Sequence, residues 1–558
     1  MYDGFGFPLD LTMMVAREYG VQVDVEGYEV ARLKALEVTS QGGMKNLDQL
    51  PRIRLDATDI SVLQKRKAPP TRDSFKYDFS YTESGKYVFP PISARVLALK
   101  TERGFTTAVS SGEECGVVLD CTNFYAEQGG QEWDEGHMNS VKSEEVMIQV
   151  ENVQLYGGYV LHVGTAVETI KPGDNLMLFL NKARRQKIMR NHTATHILNF
   201  ALRQVLGEDT EQRGSLVAQD RLRFDFTAQR ALDLSQLQQV SQIANDIIGR
   251  QHPVYRGRAP LEVVQAAEGV RAVFDGTYGN EATVVSVAVP VPGALQDQTA
   301  LRYSVELCGG IHVSNTGHIK KLLITSQRQV SAGVRRLSAI TGNDAMTAEY
   351  VANTLHQRAV EQASQLETVL RSDTLEGRDV VKRSLEQLTC MVDSATLEVG
   401  RREAIQGVVE ATRAKMGKAE KLAARVKVKE TAARLLADFH ESKSESPAGP
   451  FLVARVHGDT DSKMLLEIGK EVSRRLEGHP LMLVGGCEDD VLAVCFVPRE
   501  WTERGLKADQ WMTPVTSLLG GKGGGSATFA RSQGKGQHKL ADSLSVARNY
   551  LNKEEYRS

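Results

Sequence analysis

Two histidines and a later cysteine–histidine pair are the residues of this chain whose types and spacing could bind a metal. His192 and His196 belong to the segment His-Thr-Ala-Thr-His, and on a helix this spacing places both imidazoles on one face. Cys308 and His312, in Cys-Gly-Gly-Ile-His, add a thiolate and a third imidazole. These ligands suit Zn²⁺ better than Ca²⁺ or Mg²⁺, which prefer oxygen. We therefore predict one zinc ion per chain, bound by these four residues.

The same segment shows what kind of zinc chemistry to expect. Zinc peptidases need a glutamate directly after the first histidine as general base, and here that position is Thr193. Any hydrolysis would depend on a water positioned by the metal or by the substrate. Four protein ligands would close a tetrahedral structural site, whereas a catalytic zinc keeps one position open. The sequence leaves both kinds of site open.

Taken together with other segments, the metal-binding motifs resemble the editing domain of the alanyl-tRNA synthetase family. The further segments occur in the family's order and cover nearly the whole chain. They are Gly6–Thr12, which resembles the end of the tRNA-recognition domain; Phe124–Gln131, which resembles the barrel signature before the editing domain; Gln212–Leu216 and Arg221–Phe226 of the editing core; and Gly520–Gly525 of the C-terminal domain that the family shares with DHH phosphoesterases.

The resemblance implies the C-terminal half of such a synthetase. The parent activity is the ATP-dependent attachment of alanine to its tRNA. No segment resembles the class II ATP-binding motifs, so we expect the class II catalytic domain to be missing. ATP would then bind only in the missing half, and ligase activity is not expected from this chain alone. The chain could be a fragment or a natural truncated product.

The resemblance also implies proofreading, the hydrolysis of seryl- or glycyl-tRNA made for alanine. A pocket for alanine discriminates weakly against such similar amino acids, because one methylene changes binding by only about 1–3 kcal/mol. The resemblance assigns the metal to His192, His196, Cys308 and His312. It makes Thr195 and Gln212 pocket residues that sense the amino acid. Ile311 stands where the family usually has threonine, which removes a pocket hydroxyl.

A glycine-rich run near the C-terminus is the second functional candidate. Gly520–Gly525 contains Lys522 and lacks the spacing of a nucleoside-triphosphate loop. It would bind a tRNA backbone or be a flexible turn. The residues that we assign to tRNA binding are Lys522, Gly523, Gly524, Arg531 and Lys535. Two other functions are a tRNA-binding module with a purely structural zinc, and a phosphoesterase, whose Asp-His-His ligands the sequence lacks.

Composition narrows the class of protein and its partners. The chain has 558 residues and a net charge of −2, so a nucleic-acid surface must be a local patch. Six cysteines in this length make no disulfide framework and indicate a reducing compartment. We expect a cytoplasmic protein without a membrane segment, although a mitochondrial signal could belong to the missing half. Its partners would be the tRNA for alanine and mischarged aminoacyl-tRNA, and it could form homo-oligomers.

Hydrophobic patterns predict an α+β multidomain protein. We expect the end of a tRNA-recognition helical region with a linker in residues 1–80. A small antiparallel β-barrel follows at 86–185, where short apolar runs alternate with turn signals. An α+β zinc editing domain would occupy 186–345. Proline-free and glycine-poor residues 346–445 predict a long helical hairpin of two antiparallel helices. An α/β globular domain that binds tRNA would occupy 449–555.

Overall fold

The computed structural model describes residues 52–271, 280–296, 299–372, 375–445, 451–487 and 489–551. Most of the first predicted domain, including Gly6–Thr12, lies outside these residues. The chain divides into two compact units. One comprises Met1–His356 and Ser394–Ala404, and the other comprises Gln357–Asp393 and Ile405–Ser558.

A short helix and a short ribbon precede the barrel in the first unit. Helix α1 spans Ala57–Lys65, and Asp56 caps it by accepting a hydrogen bond from the backbone N–H of Asp59. A 3₁₀ helix at Ser74–Tyr77 leads to the paired strands β1 (Ser80–Tyr81) and β2 (Tyr87–Val88). Tyr77 of this connecting segment contacts the loop that contains Cys308 and His312.

Six antiparallel strands form a closed barrel. They are β3 (Ile92–Thr101), β5 (Glu114–Leu119), β6 (Gly136–Ser140), β7 (Val146–Tyr156), β8 (Tyr159–Ala166) and β9 (Asn175–Leu180), with β4 (Gly104–Thr106) paired to the end of β3. The order is β3-β5-β8-β7-β6-β9, and β9 pairs back to β3. Both faces of β8 are covered, since Val160 lies in the main core and Leu161 packs with Leu63 of α1.

A long helix and two sheets follow the barrel. Helix α2 spans Lys182–Leu206, so the predicted domain boundary at 185/186 falls inside a helix. Sheet β10-β11-β16-β15 consists of β10 (Gln212–Val217), β11 (Leu222–Thr227), β15 (Leu322–Ser331) and β16 (Val334–Thr341). Leu222, Phe224 and Phe226 alternate with polar residues along β11 and are buried, the pattern of a strand with one face in the core.

The second sheet is antiparallel and positions the cysteine ligand candidate. Its strands are β12 (Val254–Pro260), β13 (Glu281–Val287) and β14 (Val305–Leu307), in that order. The remaining helices of this part are α3 (Leu234–Gly249), α4 (Leu261–Ala266), α5 (Val291–Ala294) and α6 (Thr299–Arg302), with a 3₁₀ helix at Thr316–Ile319. Cys308 directly follows β14.

The described part of residues 342–445 contains three helices, where the sequence predicts a hairpin of two. They are α7 (Gly342–Ser372), α8 (Leu375–Ser394) and α9 (Val399–Glu445). Between α8 and α9 the chain leaves the helix without a glycine or proline. The side chain of Leu397 is fully buried there, and Arg402 donates a hydrogen bond to the carbonyl of Ala395 at 2.7 Å. Tertiary packing therefore interrupts a segment that its composition favours as helix.

The C-terminal part of the second unit is a five-stranded mixed sheet. Its strands are β17 (Leu452–Asp459), β18 (Leu481–Cys487), β19 (Asp490–Phe496), β20 (Lys522–Gly525) and β21 (Phe529–Lys535), in the order β17-β18-β19-β21-β20. Only β17 and β18 pair in parallel among these described strands. The accompanying helices are α10 (Ser462–Arg475), α11 (Arg499–Glu503), α12 (Ala508–Leu519) and α13 (Leu540–Leu551), with a 3₁₀ helix at Gln537–Lys539.

The glycine-rich run is an edge strand rather than a loop. Gly520 takes the left-handed conformation that ends α12, and β20 follows two residues later, paired only with β21. The described residues thus form a mixed α+β multidomain structure with a six-stranded barrel. Among them, no helix combines the length and the apolar character needed to cross a membrane.

Candidate metal centre

Helix α2 positions the two histidines of the first motif. Its N-cap residue Asn181 accepts a hydrogen bond from the backbone N–H of Arg184, and the helix then continues for 25 residues. From Asn191 to Arg203 every residue is buried, so this part of the helix lies inside the protein. The rings of His192 and His196 stack one turn apart, with centroids 5.3 Å from each other.

The loop after β14 brings Cys308 and His312 to the same place. The Sγ atom of Cys308 lies 3.3 Å from Nε2 of His192 and 3.3 Å from Nε2 of His312. One donor atom from each of His192, His196, Cys308 and His312 lies within 4.8 Å of all the others. We call these four residues the metal cluster. The structure therefore assembles the residues that the sequence predicts as ligands.

Neighbouring side chains fix the tautomer of each histidine. Nδ1 of His192 lies 2.6 Å from the amide oxygen of Gln131. That oxygen also accepts from the N–H of Ile311 at 3.0 Å, which fixes the orientation of the amide. Because an amide oxygen only accepts, Nδ1 of His192 donates its proton. Nε2 of His192 therefore carries the lone pair that faces Cys308.

His196 and His312 have the same arrangement. Nδ1 of His196 donates to the carboxylate of Glu306, and the other oxygen of that carboxylate accepts from Asn199 at 2.8 Å. Nδ1 of His312 lies 3.2 Å from the hydroxyl oxygen of Thr193, whose own proton goes to the carbonyl of Met189. In each histidine the Nδ1 proton is held by a neighbour, and Nε2 is directed into the cluster. Such partners orient the histidine ligands of metal ions.

Two glycines allow the loop to fold around the cysteine. A Cβ atom on Gly310 would lie 2.0 Å from Cε1 of His192, so a side chain cannot be accommodated there without displacing the imidazole. The N–H of Gly310 donates to Sγ of Cys308 at 3.3 Å, which stabilises a thiolate. Tyr77 donates a hydrogen bond to the carbonyl of Gly309 at 2.7 Å and ties the loop to the segment before the barrel.

The electrostatics of the cluster favour a thiolate at Cys308 and a neutral imidazole at His312. Burial raises the pKa of Cys308, but the charges of His192, His312 and His196 outweigh it and hold that pKa well below its usual value. Burial lowers the pKa of His312 to about 3. Burial also disfavours a charged His196, yet the Glu306 carboxylate outweighs it and raises the pKa of that imidazole.

These donor atoms fit a zinc ion. Zn–N distances of about 2.0–2.1 Å and a Zn–S distance of about 2.3 Å place the ligand atoms of a tetrahedral site roughly 3.4–3.6 Å apart. The two 3.3 Å separations between Sγ of Cys308 and the Nε2 atoms are within about 0.3 Å of this spacing. Nε2 of His196 is buried without a hydrogen-bond partner in the described part of the chain. A bound metal would satisfy this nitrogen, whose burial is otherwise costly.

The residues assigned to the substrate pocket lie on the helix of the cluster histidines and on β10, which packs against that helix. Thr195 is buried on α2, and its hydroxyl donates to the carbonyl of Asn191 at 2.8 Å. Gln212 begins β10, is half-buried, and donates to the hydroxyl of Ser215 at 3.2 Å. The far end of β10 hydrogen-bonds the loop of Gln131, since the N–H of Val217 donates to the carbonyl of Gly130 at 2.7 Å. Ile311 is buried in the hydrophobic core.

The residues assigned to tRNA binding line a cleft in the second unit. The cleft has a volume of about 1010 Å³, and Lys522, Gly523, Gly524, Arg531 and Lys535 all line it. Arg531 and Lys535 are exposed on the same face of β21, and the neighbouring β20 carries Lys522. The structure thus groups these cations around one concave surface.

Sequence reasoning missed the residues that orient the histidines. Glu306 is an acidic residue inside the apolar strand Val305–Leu307, a pattern that signals a buried carboxylate with a specific partner. Gln131 ends the segment Phe124–Gln131, which the sequence analysis used only as a barrel signature. Asn199 is three residues, less than one helical turn, beyond His196. Thr193, considered only as a missing base, is instead the partner of His312.

Comparisons with known proteins find similarity to tRNA synthetases in two parts of the chain. The family described as "tRNA synthetases class II (A)" matches residues 1–184, and the "Threonyl and Alanyl tRNA synthetase second additional domain" matches residues 283–338. The chain is 35% identical to the cytoplasmic alanine–tRNA ligase of Bombyx mori over 99% of its own length. By sequence, the chain is similar to alanine–tRNA ligases over nearly its whole length.

Other alanine–tRNA ligases are about equally similar to this chain, and the chain matches only part of their length. The mitochondrial alanine–tRNA ligases of Mus musculus and Homo sapiens are each 34% identical over 98% of this chain. The chain spans about half the length of these relatives, 57% of the Bombyx protein and 54% of the two mammalian ones. Because the relatives include cytoplasmic and mitochondrial proteins, the similarity does not distinguish between these compartments.

The comparisons correct the expectation of a missing class II domain. That expectation is wrong, because the class II family matches residues 1–184. The prediction that this chain lacks ligase activity, and that ATP concerns only a missing half, depended on that absence and loses its support. The matched residues span the predicted recognition region and nearly all of the predicted barrel.

Proposed function

We propose that this synthetase relative serves tRNA aminoacylation, and that its metal cluster is the centre of a site that hydrolyses tRNA mischarged with serine or glycine. The observation that carries the proposal is the buried cluster of three histidines and a cysteine, each histidine directed by its own neighbour. Two of the four residues, Cys308 and His312, lie within the part matched by the threonyl and alanyl second additional domain. The substrate would be the ester between an amino acid and the terminal ribose of tRNA.

The four cluster residues fit Zn²⁺, which as a Lewis acid polarises an ester carbonyl when bound. The chain's own contribution is to hold the donor atoms and the substrate. Gln131, Glu306 and Thr193 keep the Nδ1 protons in place, so that each Nε2 faces the cluster. Burial excludes bulk water from three of the four side chains, which strengthens electrostatic interactions at the reacting group.

Glu306 does not act as the general base in this scheme. Both of its oxygens are engaged, one by His196 and the other by Asn199. Thr193 is also fully used, because it donates to Met189 and accepts from Val313 and His312. Catalysis then relies on positioning the activated ester and a water molecule rather than on a carboxylate that removes a proton.

Selectivity for serine over alanine would come from Thr195 and Gln212. The hydroxyl of Thr195 donates to Asn191 and keeps acceptor capacity for a substrate hydroxyl. The amide of Gln212 donates to Ser215 and keeps a free acceptor oxygen among the described contacts. A site built to hydrogen-bond a substrate hydroxyl rejects the analogue without it, because its own polar groups would remain unpaired. Alanyl-tRNA would therefore be spared.

The alternative function is a tRNA-binding module in which zinc only maintains the fold. The observation that favours it is the number of ligands, since four protein donors can close a tetrahedral site. Under this alternative the cluster would still bind metal, and the chain would still bind tRNA. It would not accelerate the loss of any amino acid from the tRNA.

The decisive experiment measures deacylation of serine-charged and alanine-charged tRNA for alanine. We expect rapid loss of serine, slow loss of alanine, and a return to the spontaneous rate in Cys308→Ala. Cys390→Ala is the matched control, because Cys390 is an exposed cysteine on α8. Gln212→Ala should narrow the serine-to-alanine rate ratio by about tenfold, the effect of one lost hydrogen bond of roughly 1.4 kcal/mol. If neither ester decays faster than in buffer while tRNA still binds, the binding-module alternative is correct.

Binding of the tRNA body is proposed for the cleft in the second unit. Its exposed cations and the peptide groups of the edge strand β20 suit a phosphate backbone. The glycines of β20 add no side chain that would keep a backbone phosphate away. This assignment uses Lys522, Gly523, Gly524, Arg531 and Lys535.

A further inference from the structure

Strand register places two arginines on the side of the second sheet that faces the metal cluster. In sheet β12-β13-β14, Arg256 pairs with Val285, which pairs with Glu306. Directly paired residues share one face of an antiparallel sheet. Arg256 therefore lies on the face of Glu306, whose carboxylate holds His196. Two strand spacings of about 4.8 Å put the backbone of Arg256 roughly 10 Å from that of Glu306.

Arg258, two residues beyond Arg256 on the same face of the sheet, is paired with a residue that contacts Cys308. Arg258 pairs with Thr283, and the carbonyl of Thr283 accepts a hydrogen bond from the N–H of Cys308 at 3.0 Å. The opposite face carries Val284 and Leu307, which are buried in a separate hydrophobic core. Arg256 and Arg258 are thus excluded from that core and share the face of the cluster residues.

An aromatic side chain joins one arginine to the cluster loop. Tyr77 donates its hydroxyl proton to the carbonyl of Gly309, the residue after Cys308, at 2.7 Å. The guanidinium carbon of Arg256 lies 3.4 Å from the centroid of the Tyr77 ring. Arg256 is exposed, so the face of its guanidinium plane opposite Tyr77 can receive another flat group.

Neither arginine has an anionic partner in the described part of the chain. Arg256 and Arg258 are exposed and make no ion pair with a described carboxylate. Glu306, the acidic residue on the same face, is already engaged by His196 and Asn199. The positive charge beside the cluster is therefore available to an anionic ligand, and planar guanidinium groups match the geometry of phosphate.

We propose that Tyr77, Arg256 and Arg258 form a subsite for the 3′-terminal nucleotides of aminoacyl-tRNA. The inference rests on the proposed hydrolytic function, because the scissile ester is attached to the terminal ribose. When that ester lies at the metal cluster, the base and the 5′-phosphate of the same nucleotide lie one nucleotide or less away. The stacked Tyr77–Arg256 pair receives the base, and the guanidinium of Arg258 binds the phosphate.

The test compares two minimal substrates that differ in a phosphate. One is the seryl ester of adenosine, and the other is the seryl ester of the dinucleotide cytidylyl-adenosine, which contains one phosphodiester. We expect wild-type protein to hydrolyse the dinucleotide ester with the higher kcat/KM. Arg258→Gln should reduce this preference about tenfold, the loss expected for one charge-assisted hydrogen bond. Arg256→Gln should lower kcat/KM for both esters, because both contain the base.

Arg103→Gln is the matched control, since Arg103 is an exposed arginine in the turn between β3 and β4. Zinc content should be the same in all three variants, which separates loss of the subsite from damage to the cluster. Unchanged kcat/KM values for both esters in Arg256→Gln and Arg258→Gln would overturn the subsite while leaving the hydrolytic function intact.

If the wild type hydrolyses neither ester, a binding measurement tests the nucleotide subsite independently of the hydrolytic function. Equilibrium dialysis of the labelled trinucleotide CCA requires no catalysis. Weaker retention of CCA by Arg256→Gln and Arg258→Gln than by wild type and Arg103→Gln would support the subsite even then. Equal retention by all four proteins would contradict it.

Discussion

The carboxylate of Glu306 accepts the Nδ1 proton of His196 and leaves Nε2 of that histidine buried and directed at the metal cluster. Asn199 holds the second carboxylate oxygen, so the orientation of Glu306 is itself fixed. The pair explains how a strand and a helix that are more than a hundred residues apart cooperate in one site. It also gives Glu306 an orienting role rather than that of a base.

Replacing Glu306 with glutamine should weaken metal binding without removing a ligand. Loss of such a partner typically lowers metal affinity about 10–100-fold. Competition with a chelator of known zinc affinity would measure the change. Glu262→Gln, on the exposed side of α4, is the control and should bind zinc as the wild type does. Equal affinities in both variants would show that Glu306 does not orient His196.

Zinc itself should be present at about one equivalent per chain in protein purified without chelators. The prediction follows from the three nitrogen donors and one sulfur donor of the cluster. Elemental analysis of wild type, Cys308→Ala and the double variant His192→Ala/His196→Ala checks it, and both variants should lose most of the metal. A metal-free wild type, or a double variant with full zinc content, would refute the assignment of these ligands.

The sequence predicted the cluster because its two motifs carry local spacing that is specific for a metal. Alternation of apolar residues was sufficient for strands such as Leu222–Thr227, whose pattern depends on immediate neighbours. Spacing within one motif does not show which strands and helices lie next to each other. The pairing of His196 with Glu306 and that of Arg256 with Val285 depend on this tertiary arrangement. The break before α9 likewise depends on the burial of Leu397 in tertiary structure.

Substitutions at the neighbouring residues Gly310 and Gly309 test whether the loop must pack closely against His192. Gly310→Ala should disrupt the cluster, because the new Cβ would lie 2.0 Å from Cε1 of His192. Gly309→Ala should be tolerated, since the nearest atom to its Cβ would be Nε2 of Gln128 at 3.8 Å. Zinc content and deacylation should fall in the first variant and persist in the second. Equal zinc content in the two would mean that the loop moves freely away from His192.

The barrel contains a histidine that should make stability depend on pH. Burial lowers the pKa of His162 to about 4, and its ring is hydrogen-bonded to Thr122 and to the carbonyl of Val117. The unfolded chain protonates this residue near pH 6.5, whereas the folded protein does so only near pH 4. Stability should therefore be constant above about pH 6.5 and fall between these values, by roughly 3 kcal/mol in total.

The variant His162→Gln isolates this contribution, because glutamine can hydrogen-bond but does not titrate. Urea unfolding at a series of pH values gives the difference in unfolding free energy between the two proteins. As the pH falls from 6.5 to 4, the wild type should lose more unfolding free energy than the variant. A constant difference would mean that His162 does not titrate differently in the folded and unfolded chains.

Salt dependence tests the proposed contact between the C-terminal cleft and tRNA. Arg531 is exposed on β21 and lines the cleft, opposite Gly524 of the edge strand. If its guanidinium neutralises one phosphate, Arg531→Gln should weaken tRNA binding and reduce the slope of log affinity against log salt by about 0.7–0.9. Lys507→Gln removes an exposed cation that does not line the cleft, and it should leave the slope unchanged. Equal slopes for wild type and Arg531→Gln would mean that β21 and its neighbouring glycine strand have a structural role only.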